Sequence, residues 1–471
     1  MIYYKYQKQH GTLIALSPSV FFVSISCVIK GYFNGRGNIK VTANSQTLEQ
    51  LFKTVLSIII VENISISLGA NTTIMAAGAN IATTLSTILC FFYLYKYYKD
   101  VRYKIKNEIK STINHKPTRI RKTLKNILFI SIPMTISGIL STINKNIDSM
   151  TVLRGLKNFL SEEEAKIQYG ILSGKVDTLV TLPMSLNMAF STALIPAIAS
   201  AKALNDKKTI EKRISFSILV TILIGLPCMV GMIIFAEPIL KLLFPNATSG
   251  KFIFQVSSAS IIFIVLEQTI CGALHGMGKV FSTSLALGIG VIVKLILNIL
   301  LIPINPNKCI VGGTAGAAFA TIMCHLIAVL IEIRILRKQI NIKLNIKKFI
   351  FKPILAVIVM SICSCLIYHC LINKITQNLC TIISMIVAVI IYGMMIIVLK
   401  VFSKEEFFMI PYGKKIYNFM KTLRLYENSE THWVCWDTRT KKTIILSILS
   451  RQDKIYLKKR RILLNNGEYW Y

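Results

Sequence analysis

Apolar residues along this chain fall into eleven near-continuous runs rather than one-faced or alternating patterns: Thr12 to Ile29, Leu48 to Leu68, Thr72 to Tyr95, Ile127 to Met150, Val176 to Ala203, Ile214 to Phe235, Phe252 to Leu274, Val280 to Ile302, Ala315 to Leu336, Ile354 to Leu371 and Leu379 to Leu399. Each is close to the roughly 20 residues a helix needs to cross a hydrocarbon core of about 30 Å. A chain in lipid must satisfy its own backbone polar groups, so the pattern predicts an all-α polytopic membrane protein. Several runs carry Gly, Pro or Ser, as in SIPMTISG and TLPMSLNMAFSTALIPAIA. A water-soluble helix tolerates these poorly, whereas neighbouring helices in a bundle satisfy the freed backbone groups.

Composition narrows the function classes. Of 471 residues, 53% are hydrophobic and 16% charged, and mean hydropathy is +0.58, outside the balance of a globular protein. A net charge of +34 would point a soluble protein toward nucleic acid. Here Lys and Arg lie between the apolar runs, so topology and anionic membrane lipids account for them and no nucleic-acid partner is expected. The cysteines, mostly inside runs (Cys27, Cys90, Cys228, Cys271, Cys324, Cys363, Cys365), lack the paired spacing of a zinc site and read as small apolar packing residues. No metal or cofactor is expected. Nothing pairs a nucleophile with a base, and GYFNGRG lacks the GK[ST] ending and preceding strand of a phosphate loop, so an enzyme is disfavoured.

Charge sets the orientation, since cytoplasmic loops collect Lys and Arg. Eleven basic residues lie between Lys96 and Lys125 against Asp100 and Glu108, which places this connection inside. The basic stretches at Lys207 to Arg213, Arg334 to Lys352 and after Lys400 then also fall inside. Ser67 to Asn71 falls outside, as does the balanced loop Thr151 to Gly174, where Glu162, Glu163 and Glu164 offset Arg154, Lys157 and Lys166. The first run has no clear cleavage site and reads as a retained span. Eleven spans with a cytoplasmic C-terminus put the basic N-terminus MIYYKYQK outside, an unusual placement that predicts an odd number of further spans upstream.

The chain also repeats itself. Gly31, Gly35 and Gly37 in KGYFNGRGN recur as Gly272, Gly276 and Gly278 in CGALHGMGK, a constant separation of 241 positions that lays Lys53 on Lys294. Both copies read as apolar helix, glycine-rich turn, then a helix with one buried lysine, as expected of a transporter built from duplicated halves.

Ionisable groups within runs are few: Glu49, Lys53, Glu62, Lys145, Asp148, Glu267, Lys294 and His325. Their insertion cost favours positions facing a cavity or a partner. Glu49 and Lys53 stand one helical turn apart and are expected to pair. For His325, as for His369, polar packing is the readier explanation. Lysines from both halves suit an anionic head group such as a diphosphate, acting as point charges.

The most specific stretches are IKGYFNGRGNIKVTANSQTLEQLFKTV, NIDSMTVLRGL, YGILSGKVDTLVTLPMSLNMAFSTALIPAIASA and GMGKVFSTSLALGIGVIVKLILNILLI. With them the chain, from about Gly11 to Phe402, resembles the stage V sporulation and polysaccharide biosynthesis family of the multidrug, oligosaccharidyl-lipid and polysaccharide exporter superfamily. The resemblance implies two bundles of six helices followed by two extra ones, fourteen in all. Residues 1–95 would then be the remainder of the N-terminal bundle, lacking its first three helices. Residues 96–126 would be a basic cytoplasmic linker, 127–336 the C-terminal bundle, 337–402 the two extra helices and 403–471 a basic cytoplasmic tail with Lys458 to Arg461 near its end. Relatives carry arginine where this chain has Lys30 and Lys53, so charge is kept but bidentate phosphate recognition is not.

The implied activity is flipping of undecaprenyl-diphosphate-linked sugars, with peptidoglycan precursor for the spore cortex foremost, by a monomer in the bacterial cytoplasmic membrane. In that scheme Lys53, Lys145 and Lys294 grip the anion, Glu49 and Asp148 orient them, and Lys30 and Arg36 attract the head group at the cytoplasmic mouth. The alternatives are a cation-coupled drug exporter of the same superfamily and a truncated, non-transporting membrane protein.

Overall fold

The computed structural model describes residues 2–68, 72–111, 120–245, 247–340, 345–409, 413, 433–437 and 442–446. Among them are eleven helices long and apolar enough to cross a membrane, one for each predicted run. The chain divides into two compact units, Met1–Asn126 and Ile127–Tyr471.

The first unit contains α1 (Ile2–Gly35), α2 (Ile39–Leu68) and α3 (Thr72–Ser111). Helix α3 packs along both of the others, which touch each other much less. Its core is small: Ile29, Phe33, Val41, Cys90 and Leu94, with Phe33 edge-on to Tyr97 and Tyr32 edge-on to Tyr98. Thr84 Oγ1 donates to Ala15 O at 2.6 Å and ties α3 to α1.

The second unit starts within α4 (Ile120–Leu156) and continues through α5 (Glu162–Gly170), α6 (Asp177–Ala203), α7 (Lys207–Ile234), α8 (Ala236–Leu243), α9 (Lys251–Ser258), α10 (Ile261–Gly276), α11 (Val280–Leu301), α12 (Thr314–Gln339), α13 (Lys352–Leu371), α14 (Gln377–Val398) and α15 (Lys404–Phe407). Between α5 and α6 the helix widens into a π turn over Ile171–Val176, where Asp177 N donates to Leu172 O. Helix α10 packs on α6, α7 and α12, α11 packs on α12, and α13 packs on α14 and α7.

Polarity is arranged as lipid requires. Phe21, Val28, Phe129 and Val389 point outward, while Ser45, Asn187, Thr221, Ser258 and Asn298 are buried. At the α6–α7–α10 junction Asn187 Nδ2 donates to Val265 O at 2.9 Å, and Thr221 Oγ1 donates to Asn187 Oδ1 at 2.9 Å. These bonds join helices that hydrophobicity alone would not hold together in hydrocarbon.

The repeated glycine turn is identical in its backbone. Gly37 and Gly278 both adopt φ +75°, a left-handed conformation that favours glycine. Asn38 N donates to Phe33 O and Lys279 N to Leu274 O, both at 2.9 Å, equivalent bonds in the two copies. The other glycines differ between copies. A Cβ on Gly272 or Gly276 would stand 2.8 Å from a backbone oxygen of α6, whereas one on Gly31 or Gly35 would meet nothing within 4 Å.

Three stretches outside the apolar runs carry structure that hydropathy does not report. The basic stretch 96–126 is helical over most of its described length, because α3 runs to Ser111 and α4 begins at Ile120; Lys and Arg are good helix formers and no Gly or Pro precedes Pro117. The exterior loop Thr151 to Gly174 is mostly α4 and α5, the latter started by a capping box between Ser161 and Glu164. The tail is not featureless. Ser403 caps α15, Glu405 pairs with Lys212 and Glu406 with Lys348, and Trp433–Asp437 pairs antiparallel with Lys442–Leu446. Lys458 to Arg461 lie outside the described residues.

Gly290 makes the closest helix approach, its would-be Cβ 2.5 Å from Cys324 O of α12. Gly290→Val should therefore lower stability by about 1–3 kcal/mol or more through overpacking, read as a lower midpoint of thermal unfolding in detergent. Gly31→Val should leave that midpoint unchanged, and equal effects would count against the close approach.

Candidate functional site

Lys294 is a fully buried cation among the described residues, 2% exposed on α11. Its Nζ donates to Asp148 Oδ2 at 2.6 Å and to Asn144 O at 2.9 Å, both on α4. Asn298, one turn along α11, donates through Nδ2 to Asp148 Oδ1 and to Thr151 Oγ1, each at 2.9 Å. Each Asp148 oxygen thus accepts one bond from α11. These hydrogen bonds offset the desolvation of a buried pair.

Around this knot the other predicted cation of α4 behaves differently. Lys145, three residues before Asp148 and so on a neighbouring part of the same face, is exposed. Asp177, placed directly after the π turn, lies within electrostatic reach of Asp148, Lys294 and Lys145.

In the first unit Lys30 Nζ stands 3.4 Å from Glu49 Oε2, joining α1 to α2. This corrects the expected Glu49–Lys53 pair: Glu49 turns toward α1, and Lys53 is exposed without an ion pair. Lys53 is therefore not the buried counterpart of Lys294. The helix that bonds Lys294 is α4. Glu62 is likewise exposed. Arg36 sits just past the end of α1 and forms two bonds to Glu108, at 2.8 and 3.1 Å, plus one to Tyr32 Oη at 3.1 Å. The hydrogen bonds it donates to Glu108 and then to Tyr32 raise its already high pKa.

Glu267 of α10 accepts from His325 Nδ1 of α12 at 3.0 Å. His325 is thereby a bonded partner rather than an isolated packing residue. Glu332, fully buried on α12, and Asp177 escaped the sequence reading; the separation of seven between His325 and Glu332, which sets both on one face, was the available signal. Among the described residues no group of His, Cys, Asp and Glu is arranged to hold a metal ion.

Comparison with known proteins follows from this geometry. A family profile described as polysaccharide biosynthesis protein matches residues 8–202, and one described as MatE matches residues 175–300. The chain is 27% identical over 343 residues to stage V sporulation protein B of Bacillus subtilis, covering 72% of this chain and 63% of that protein. It is 21% identical over 313 residues to the lipid II flippase MurJ of the same organism, covering 65% and 57%. The solved structure of lipid II flippase MurJ in its inward closed conformation matches with a TM-score of 0.55 at 20% identity, over 82% of this chain and 72% of that one. The chain is a homologue of these two proteins.

An inward-facing multidrug resistance MATE family transporter of the MOP superfamily matches with a TM-score of 0.52 at 13% identity, over 71% of this chain and 72% of that one. The fold is thus that of these solved structures, and a multi-pass place in the cytoplasmic membrane follows. The chain spans a little under two-thirds of the length of these curated exporter relatives.

Removing one partner of the Lys294–Asp148 pair leaves the other buried and unpaired. Lys294→Met and Asp148→Asn should each cost about 3–5 kcal/mol, and the double substitution should recover a large part of the sum. Chemical denaturation of the four proteins gives the cycle, and additive losses would show that the two groups do not interact.

Proposed function

We propose that this chain moves lipid-linked anionic glycan precursors across the cytoplasmic membrane, with undecaprenyl-diphosphate-linked sugars as the substrate class and the peptidoglycan precursor of the spore cortex as the first candidate. The observation that carries the reading is the buried Lys294–Asp148–Asn298 knot with exposed Lys145 beside it. Homology to a lipid II flippase supports the same class of cargo.

The chemistry divides the cations into two sets. Lys53 and Lys145 are exposed and have no ion pair among the described residues, so a diphosphate meets them without first breaking such a contact. Lys30 and Arg36 are held by Glu49 and Glu108 and would exchange a carboxylate for head-group phosphate, an exchange of one charge-assisted bond for another. Lys294 stays behind Lys145, its charge balanced by Asp148, and keeps α11 and α4 together while the cargo passes. Alternating access supplies the movement.

A cation-coupled drug exporter is the second reading, favoured by the MatE profile over residues 175–300. Its cargo is cationic, so it predicts the opposite response to charge reversal.

Lys53→Glu and Lys145→Glu change exposed side chains and should leave thermal unfolding in place. In proteoliposomes loaded with undecaprenyl-diphosphate-linked sugar, each should slow translocation about tenfold or more, the loss of a charged contact worth about 1.5–3 kcal/mol. Unaltered translocation removes both lysines from the mechanism. Failure of the unsubstituted chain to translocate lipid at all, with extrusion of an organic cation intact, favours the drug-exporter reading.

A further inference from the structure

Glu332 of α12 is 0% exposed, and neither of its carboxylate oxygens has a hydrogen-bond partner among the described residues. Seven positions earlier on the same helix, two turns and hence the same face, His325 holds Glu267 of α10. The α10–α12 seam therefore encloses three ionisable side chains, of which the His325–Glu267 pair is only slightly open to solvent.

An ionised Glu332 would have no donor and no counter-ion, and the charge of Glu267 would oppose it. A carboxylate in that position takes up a proton instead of remaining charged. No neighbouring cation alters this. Lys294 of α11 is committed to Asp148 of α4, and Lys251 of α9 to Glu237. Toward α10, helices α6 and α7 present Asn187, Ser191 and Thr221, which do not titrate near neutrality. Arg334, Arg337 and Lys338 at the end of α12 are exposed, and among the described residues the remaining titratable groups of α10 and α12 are Cys324, Cys271 and His275.

Two of those form a track. Cys271, one turn from Glu267, senses the charge of Glu332; its Sγ lies 3.4 Å from His275 Nε2, which lies 2.9 Å from Thr283 Oγ1. The track ends beside the Gly276–Gly278 turn, on the side that charge distribution assigns to the cytoplasm. The ligand that a buried carboxylate without a hydrogen-bond partner among the described residues takes up is a proton.

We propose that Glu332, framed by Glu267 and His325, is an exchangeable proton site of the second unit, reached from the cytoplasmic turn past His275 and Cys271. Binding forms one O–H bond on a Glu332 carboxylate oxygen; release breaks it and returns the proton to water, with no other bond changing. Proton occupancy stands by itself, whereas its use to drive movement of this unit rests on the transporter reading above.

Infrared difference spectra of the purified full chain, taken without lipid substrate while the pH is stepped upward, test the site. The unsubstituted protein should lose a protonated-carboxyl band that Glu332→Gln lacks at every pH, and Glu267→Gln should keep the band with a displaced midpoint. The same band in wild type and Glu332→Gln, or no band in either, overturns the proposal. In proteoliposomes an imposed pH gradient should change the rate of lipid-linked transport in wild type and not in Glu332→Gln. A band with a gradient-insensitive rate discards the coupling alone, and a band with no transport of lipid at all discards the flippase reading while the proton site stands.

Discussion

A polar group surrounded by hydrocarbon has to find its partner within the chain, and that constraint organises this protein at every scale. It makes the spans helical, since only a helix closes its own backbone bonds within one segment. It also decides how helices attach. Burying an ammonium group at mid-bilayer costs about 2.5–3.5 kcal/mol on insertion scales, so Lys294 is tenable only with Asp148 and the Asn144 carbonyl around it. The same bonds attach α4 to α11, so an electrostatic necessity becomes a packing device.

Spans were legible because a run of apolar residues has few other uses at that length. Their ends were less so. Hydropathy stops reporting where a helix leaves the hydrocarbon, yet α3 continues to Ser111 and α4 to Leu156 on ordinary helix propensity. Local signals were present at two of these edges: Ser161 with Glu164 and Ser403 with Glu406 are S-x-x-E capping boxes. The strand pair 433–437 and 442–446 carries Trp, Val, Ile and Thr, residues suited to strands, but their short length hid them behind a basic tail.

Which ionisable groups are buried was much less legible. Lys53 and Lys294 occupy similar apolar helices, and local sequence gives no reason to separate them. Burial depends on the helix laid across them, which for Lys294 is α4. Glu49 illustrates the same limit: spacing along α2 offered Lys53, while the fold supplied Lys30 from another helix. A partner four residues away is only one candidate when helices pack side by side.

The duplicated glycine turn separates what local sequence determines from what assembly determines. Gly37 and Gly278 share φ +75° and the same closing bond, because a left-handed residue after a helix is a demand of the backbone itself. Gly31 and Gly272 share a place in the repeat but not a role, since only the second lies against α6. The turn is thus preserved in both copies while the surroundings are free to differ. Divergence of the halves follows from that freedom: the first presents an α1–α2 ion pair near its turn, and the second keeps at the equivalent of Lys30 the thiol of Cys271, within reach of the charges of Glu267 and Glu332.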